Sequence, residues 1–171
     1  VYRFRVTGDE HIPVQGAAVL VSNHVSFIDA VLLMAASPRP IRFLMDHRIF
    51  KTPGIGWFFR AVKAIPIAPQ KEDPEGYEQA FERARQVLRD GDQLCLFPEG
   101  AITKDGRMQP FKAGIMKILA SDPVPVIPAA LHNLWGSTFS RIDGAAMARP
   151  LRRGLFNRIG LVVGEPIAPE V

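Results

Sequence analysis

Ala17-Ala18-Val19-Leu20-Val21-Ser22-Asn23-His24-Val25-Ser26-Phe27-Ile28-Asp29 passes from an unbroken apolar run into a polar turn and then toward helix-forming residues. The run Ala17 to Val21 reads as a buried strand. Ser26 is the expected N-cap of the next helix, with Asp29 at its third helical position. His24 then sits on the strand-to-helix turn, and Asp29 points back at it from the first helical turn. A carboxylate beside one imidazole nitrogen fixes the tautomer and leaves the other nitrogen free to take a proton. The same letters also spell an ordinary helix cap with a chance loop histidine. The spacing alone leaves both readings open.

Strand and helix signals alternate outward from this stretch. Strands are expected near Tyr2–Val6, Ala17–Val21, Ile41–Met45, Ala64–Ile67, Gln93–Phe97, Val124–Leu131 and Ile159–Val163. Helices are expected near Phe27–Ala36, Gly54–Val62, Pro74–Arg89 and Lys112–Ala120. The segment Pro74–Arg89 is the clearest. Tyr77, Ala80, Phe81, Ala84, Val87 and Leu88 form one helical stripe, Asp73 caps it, Pro74 opens it and Gly91 stops it. The alternation predicts an α/β layered domain with a central, largely parallel mixed sheet flanked by helices. No repeat or linker divides residues 1–171, so one domain is expected. The chain starts at Val1 rather than Met, which fits a domain cut from a longer protein.

The 171 residues, 47% of them hydrophobic, suffice for one sizeable core. The N-terminal Tyr2-Arg3-Phe4-Arg5 lacks the form of a secretory signal. No apolar stretch approaches the ~20 residues of a membrane span. Phe27–Ala36 is the longest helix-like one and carries Asp29. With Cys95 as the one cysteine, no internal disulfide can form, and a reducing compartment is expected. Cys95 lies in an apolar strand and reads as a core residue rather than a nucleophile. A formal net charge of +4 favours anionic partners, without choosing among lipid surface, phosphorylated substrate, acidic carrier protein and nucleic acid. The segment from Ser137 to Asn157, with Arg141, Arg149, Arg152, Arg153 and nearby Arg158, reads as a basic excursion before the last strand. His11, His47 and His132 lack partners at metal-ligand spacing, so no metal site is expected. Trp135 reads as packing.

A second polar segment, Phe97-Pro98-Glu99-Gly100, leaves the strand Gln93–Phe97. In open α/β sheets function gathers at the carboxyl ends of strands, and parallel strands bring this turn and the His24 turn to one edge. Pro98 stiffens the exit, and Gly100 lets backbone approach a ligand. Thr103 and Lys112 add a hydroxyl and a cation. Taken alone, Pro and Gly mark plain turns everywhere.

Together the segments carry a resemblance. The chain resembles the glycerolipid acyltransferases, which include the 1-acylglycerol-3-phosphate and other lysophospholipid acyltransferases. Their first block, N-H-x-S-x-x-D, corresponds to Asn23–Asp29. Their third, F-P-E-G-x-x-[ST], corresponds to Phe97–Thr103, followed by Phe111-Lys112-Ala113-Gly114. The fourth, an apolar run about a proline, corresponds to Val126-Ile127-Pro128-Ala129. Two departures stand out. Where the family's second block ends in arginine, this chain has Ala68-Pro69-Gln70-Lys71 after Ile65-Pro66-Ile67. Where the third block often reads Thr-Arg, it has Ala101-Ile102. Those arginines would pair with a substrate phosphate. In this the chain is similar to the acyltransferase part of bacterial 2-acylglycerophosphoethanolamine acyltransferase/acyl-carrier-protein synthetase proteins.

The resemblance implies acyl transfer from a thioester, carried by acyl carrier protein or coenzyme A, to a hydroxyl of a lysophospholipid. His24 would be the general base and Asp29 its orienter. Asn23, Ser26, Pro98, Glu99, Gly100, Thr103 and Lys112 would bind substrate, with Lys112 replacing in part the lost arginines. No cofactor, metal or nucleic acid is implied. The chain would work at a membrane surface, on the cytoplasmic side of the cell membrane. Pro53–Lys63, with Trp57, Phe58 and Phe59 between cations, is either an interfacial helix or a core helix. A thioesterase or lipid hydrolase using the same pair, an enzyme confined to 1-acylglycerol-3-phosphate, and a non-enzymatic binder of anions are the competing readings.

Overall fold

The computed structural model describes residues 3–142, 144 and 158–169. Tyr2 of the first expected strand, and Arg149, Arg152 and Arg153 of the basic excursion, lie outside the described residues. Seven strands form one sheet: β1 (Arg3–Thr7), β2 (Ala18–Ser22), β3 (Ile41–Asp46), β4 (Ile65–Ile67), β5 (Gln93–Leu96), β6 (Val126–His132) and β7 (Arg158–Val163), in the order β1-β7-β6-β2-β5-β3-β4. Among the described residues four α-helices complete it, α1 (Asp29–Ala36), α2 (Gly56–Ala61), α3 (Pro74–Arg89) and α4 (Gly114–Leu119), with short 3-10 turns at Asp9–His11 and His47–Lys51. Each expected strand and helix is present, with ends shifted by a few residues.

The five strands β2 to β6 run parallel, and the β6–β7 pair is antiparallel. Strand β1 pairs parallel to β7, so these two are reversed relative to the rest of the sheet. Alternate residues of the central strands feed two cores. Ala18, Leu20, Phe43, Cys95 and Ile127 face one layer with Ala30 and Leu33 of α1 and Phe59 of α2. Val19, Leu94 and Leu96 face the other, with Phe81, Ala84 and Leu88 of α3 and Ile118 of α4. Each such large side chain contributes about 1.5–3 kcal/mol by leaving water.

Helix α3 forms as its sequence dictates. Asp73 accepts from the Gly76 amide at 2.8 Å, Pro74 occupies the first turn, and Gly91 leaves the helix at φ +83°. At the amino edge of the sheet Arg39 binds loops together. It donates to Pro13 O and Gly91 O at 3.0 Å each, and also to Gly16 O. Gln93 joins the same cluster through Pro13 O at 2.7 Å. The opposite edge, where β2, β3, β4 and β5 end, is left to loops.

Candidate active site

Strand β2 ends at Ser22, and the turn that follows is held on three sides. Asn23 extends the β2–β6 ladder with its side chain. Its Nδ2 donates to Leu131 O at 2.8 Å, and its Oδ1 accepts from Leu131 N at 2.7 Å. His24 N donates to Glu99 Oε1 at 2.8 Å, while Gln109 N donates to Glu99 Oε2 at 2.7 Å. Thr103 N donates to His24 O at 2.9 Å. The two polar turns foreseen at one sheet edge are thus stitched directly to each other.

The His24 ring is fixed twice. Its Nδ1 lies 2.9 Å from Asp29 Oδ2. Its face stacks on Phe97, with centroids 4.1 Å apart and planes inclined by 14°. Asp29 is fully buried, and its carboxylate also accepts from Val25 N at 2.6 Å, from Ser26 N at 2.9 Å and from Ser26 Oγ. Four donors compensate the burial of one charge. With Nδ1 engaged by the carboxylate, Nε2 is the atom that can accept a proton from a ligand.

Several residues expected to bind substrate make internal contacts here. Ser26 is not the N-cap: α1 starts at Asp29, and the Ser26 hydroxyl donates to the Asp29 carboxylate instead of accepting from a helix amide. Half of a capping box survives, since Asp29 still takes the Ser26 amide. Ser26 is fully buried, and the Asn23 amide is engaged by the Leu131 backbone of β6. Glu99, 4% exposed, spends both oxygens on backbone amides. Thr103 is buried within its own turn, where Oγ1 donates to Arg107 O at 2.7 Å and accepts from Gly106 N at 3.0 Å. The Gly100 amide is likewise used, donating to Phe97 O at 2.9 Å. Glycine is favoured at position 100 for another reason: its φ is +68°, a left-handed conformation that other residues rarely adopt, and Lys112 lies along it.

His24, Pro98, Gly100 and Lys112 do share a surface, a half-open cleft of about 730 Å³. It extends from the imidazole over the ends of β3, β4 and β5, along apolar side chains such as Leu44, Met45, Ile67, Tyr77, Phe81 and Ile115. Ala68, Gln70, Ala101 and Ile102 line it too, so the wall where the family pattern carries arginine is largely apolar here. Cations come instead from Arg48, Lys112, Lys117 and Arg141. The role of Phe97 under the imidazole and the nearness of Arg141 were not foreseen. The block F-P-E-G held the first residue, and the only signal for the second was its place in an arginine-rich stretch. Trp135 packs against the core and does not line the cleft.

Comparison with known proteins agrees with this architecture. A family model described as Acyltransferase matches residues 3–132. The chain belongs to the acyltransferase family. Within it, the chain is 34% identical over 131 residues to the chloroplastic 1-acyl-sn-glycerol-3-phosphate acyltransferase BAT2 of Brassica napus, covering 76% of this chain and 37% of that protein. It is 26% identical to a probable 1-acyl-sn-glycerol-3-phosphate acyltransferase of Mycoplasma pneumoniae, over 96% of this chain and 61% of that one. The crystal structure of the 1-acyl-sn-glycerophosphate acyltransferase PlsC from Thermotoga maritima has the same fold. Its TM-score is 0.72 at 24% identity, over 98% of this chain and 62% of PlsC. The acyltransferase chain therefore spans from little over a third to under two thirds of the length of these relatives.

Proposed function

We propose that this chain moves a fatty acyl group from an acyl thioester to a hydroxyl of a lysophospholipid, with His24 as general base and Asp29 as its orienter. The observation that carries the reading is the His24–Asp29 pair, 2.9 Å apart, at one end of a cleft that is otherwise largely apolar. An alcohol is a poor nucleophile at neutral pH, so its proton must leave as attack begins. His24 Nε2 takes that proton. The alkoxide oxygen bonds to the thioester carbonyl carbon, and the tetrahedral intermediate collapses with loss of the thiolate. The imidazolium returns the proton to sulfur. Asp29 stabilises the imidazolium between these events. The acceptor oxygen attacks directly, so no acyl-enzyme is formed. The apolar run of the cleft has the chemistry to house an acyl chain, and the site would meet its lipids at a membrane surface. The relatives' names favour acylglycerol phosphate as acceptor. The apolar wall at Ala68 and Ile102, where the family pattern carries arginine, favours acceptors whose phosphate is a diester.

The test is a panel of lysolipid acceptors against acyl-coenzyme A and acyl carrier protein thioesters, scoring acylated product and free fatty acid separately. Transfer to at least one lysophospholipid is expected, and His24→Ala should lower it at least ~100-fold with the fold intact. Free fatty acid formed equally with and without acceptor would instead mark a hydrolase. Near wild-type transfer by His24→Ala would remove the imidazole from the mechanism.

A further inference from the structure

The four cations of the cleft fall into two kinds. Arg48 donates to both Glu72 oxygens, at 2.5 and 2.7 Å, and to Asp46 at 3.3 Å. Lys117 donates to Glu78 at 2.5 Å and lies over the Tyr77 and Phe81 rings. These two are neutralised by protein carboxylates. Among the described residues, Lys112 and Arg141 have no carboxylate within ion-pair distance.

Arg141 is delivered to the His24 turn by backbone. Ser140 bridges Ser26 in antiparallel fashion, and Phe27 N donates to Phe139 O at 3.1 Å. The Ser140 hydroxyl closes its own turn, accepting from Gly136 N and donating to Ser137 O at 2.9 Å each. The guanidinium then lies over the Phe27 ring, 5.9 Å from its centroid. Its Nε is buried with no hydrogen-bond acceptor among the described residues. A guanidinium N–H withdrawn from water and left without an acceptor points to an oxygen that arrives with a ligand. On the Pro-Glu-Gly side, Lys112 lies along Gly100 and adds a second uncompensated charge to the same cleft.

We propose that Arg141 and Lys112 together bind the phosphate of the acceptor, and that Arg141 sets the preference for phosphate-bearing acceptors. This rests on the acyl-transfer reading above. The planar guanidinium fork matches the two free oxygens of a phosphodiester, and the ammonium supplies a point charge. In a lysophospholipid the free hydroxyl stands one or two carbons from the phosphoester carbon. A phosphate held by cations flanking the His24 turn therefore places that hydroxyl within reach of the imidazole. The donor also carries phosphate, in its pantetheine arm, so the test must tell the two sources apart.

The experiment compares wild type, Arg141→Gln and Arg141→Lys on a short-chain 1-alkyl-lysophospholipid and on the 1-alkylglycerol that lacks phosphate. Calorimetry gives the affinities, and steady-state kinetics with acyl-coenzyme A gives both KM values. Wild type should prefer the phosphate-bearing lipid at least tenfold. Arg141→Gln should lose most of that preference, raising the lysophospholipid KM while leaving the KM for acyl-coenzyme A and binding of the alkylglycerol unchanged. Arg141→Lys should fall between. Equal weakening on both lipids, a rise in donor KM alone, or no change would each overturn the proposal. Binding by His24→Ala separates the two claims. A retained phosphate preference in a wild type that transfers no acyl group would sink the proposed function and leave this site standing.

Discussion

Asp29 and Glu99 are both buried carboxylates near the imidazole, yet their contacts assign them different work. Asp29 touches the His24 ring; Glu99 touches only backbone amides. Asp29→Asn can keep an oxygen toward the His24, Val25 and Ser26 donors and turn its amide toward the Ser26 hydroxyl. The fold should survive, while the loss of charge beside the imidazole should reduce kcat by about 10³-fold or more, measured with acyl-coenzyme A and the preferred acceptor. Retention of most of the wild-type kcat would exclude Asp29 as orienter. Glu99→Gln puts an amide group opposite one of two buried N–H donors, at a cost of about 1–3 kcal/mol of stability. It should lower the melting temperature and kcat together with little change in acceptor KM. A raised acceptor KM at unchanged stability would return Glu99 to the role of substrate ligand. The contrast explains what was legible in the letters. The His24–Asp29 pair spans five residues and a single turn, so spacing reveals it. The Glu99 and Asn23 partners lie 75 and 108 residues away, where only the folded sheet edge joins them.

At the scale of elements, periodicity located all seven strands and four helices, because two-sided burial in β2 and β5 and one-sided burial in α3 leave strong hydrophobic patterns. Direction left no such mark. An apolar strand reads the same either way along the sheet, so the reversal of β1 and β7 appears only in the antiparallel pairing of Ala129–His132 with Gly160–Val163, to which β1 adds in parallel. α1 starts at Asp29 without a side-chain cap, because the Ser26 hydroxyl donates to the Asp29 carboxylate and only the Asp29 half of the capping box, its contact with the Ser26 amide, is made. Strand β5 gives a prediction of its own. Its Cys95 is fully buried between β2 and β3, and burial, followed by the charge of Asp29, pushes the thiol far above its ordinary value. The thiolate is therefore suppressed near neutral pH. Iodoacetamide at pH 8 should label the native protein at least ~100 times more slowly than the chain in denaturant. Rapid native labelling would mean that β5 opens.

For the whole molecule, the proposed reaction requires a lipid to reach a cleft on a chain whose described helices include none long and apolar enough to cross a membrane. Pro53–Lys63 turns out to divide: Phe59 is buried in the core, while Trp57 is 66% exposed. A second set of exposed apolar side chains lies closer to the site. Phe111 and Met116, 58% and 65% exposed, flank the residues Lys112 to Ile115 that line the cleft. Lys104, Arg107 and Lys112 are exposed nearby in sequence. Large apolar groups beside cations suit the interface of an anionic bilayer, with the side chains among acyl chains and the charges at the headgroups. This arrangement would turn the mouth of the cleft toward its lipids. Vesicle flotation on mixtures with and without anionic lipid tests it. Wild type should float with anionic vesicles and do so less as salt rises. Phe111→Ser with Met116→Ser should weaken binding by about tenfold or more, each side chain losing part of the ~1.5–3 kcal/mol of apolar burial. Trp57→Ala should act additively if both surfaces meet one bilayer, since side chains on separate elements couple weakly. A Phe111, Met116 double variant that floats as well as wild type would show that the cleft mouth does not face the membrane.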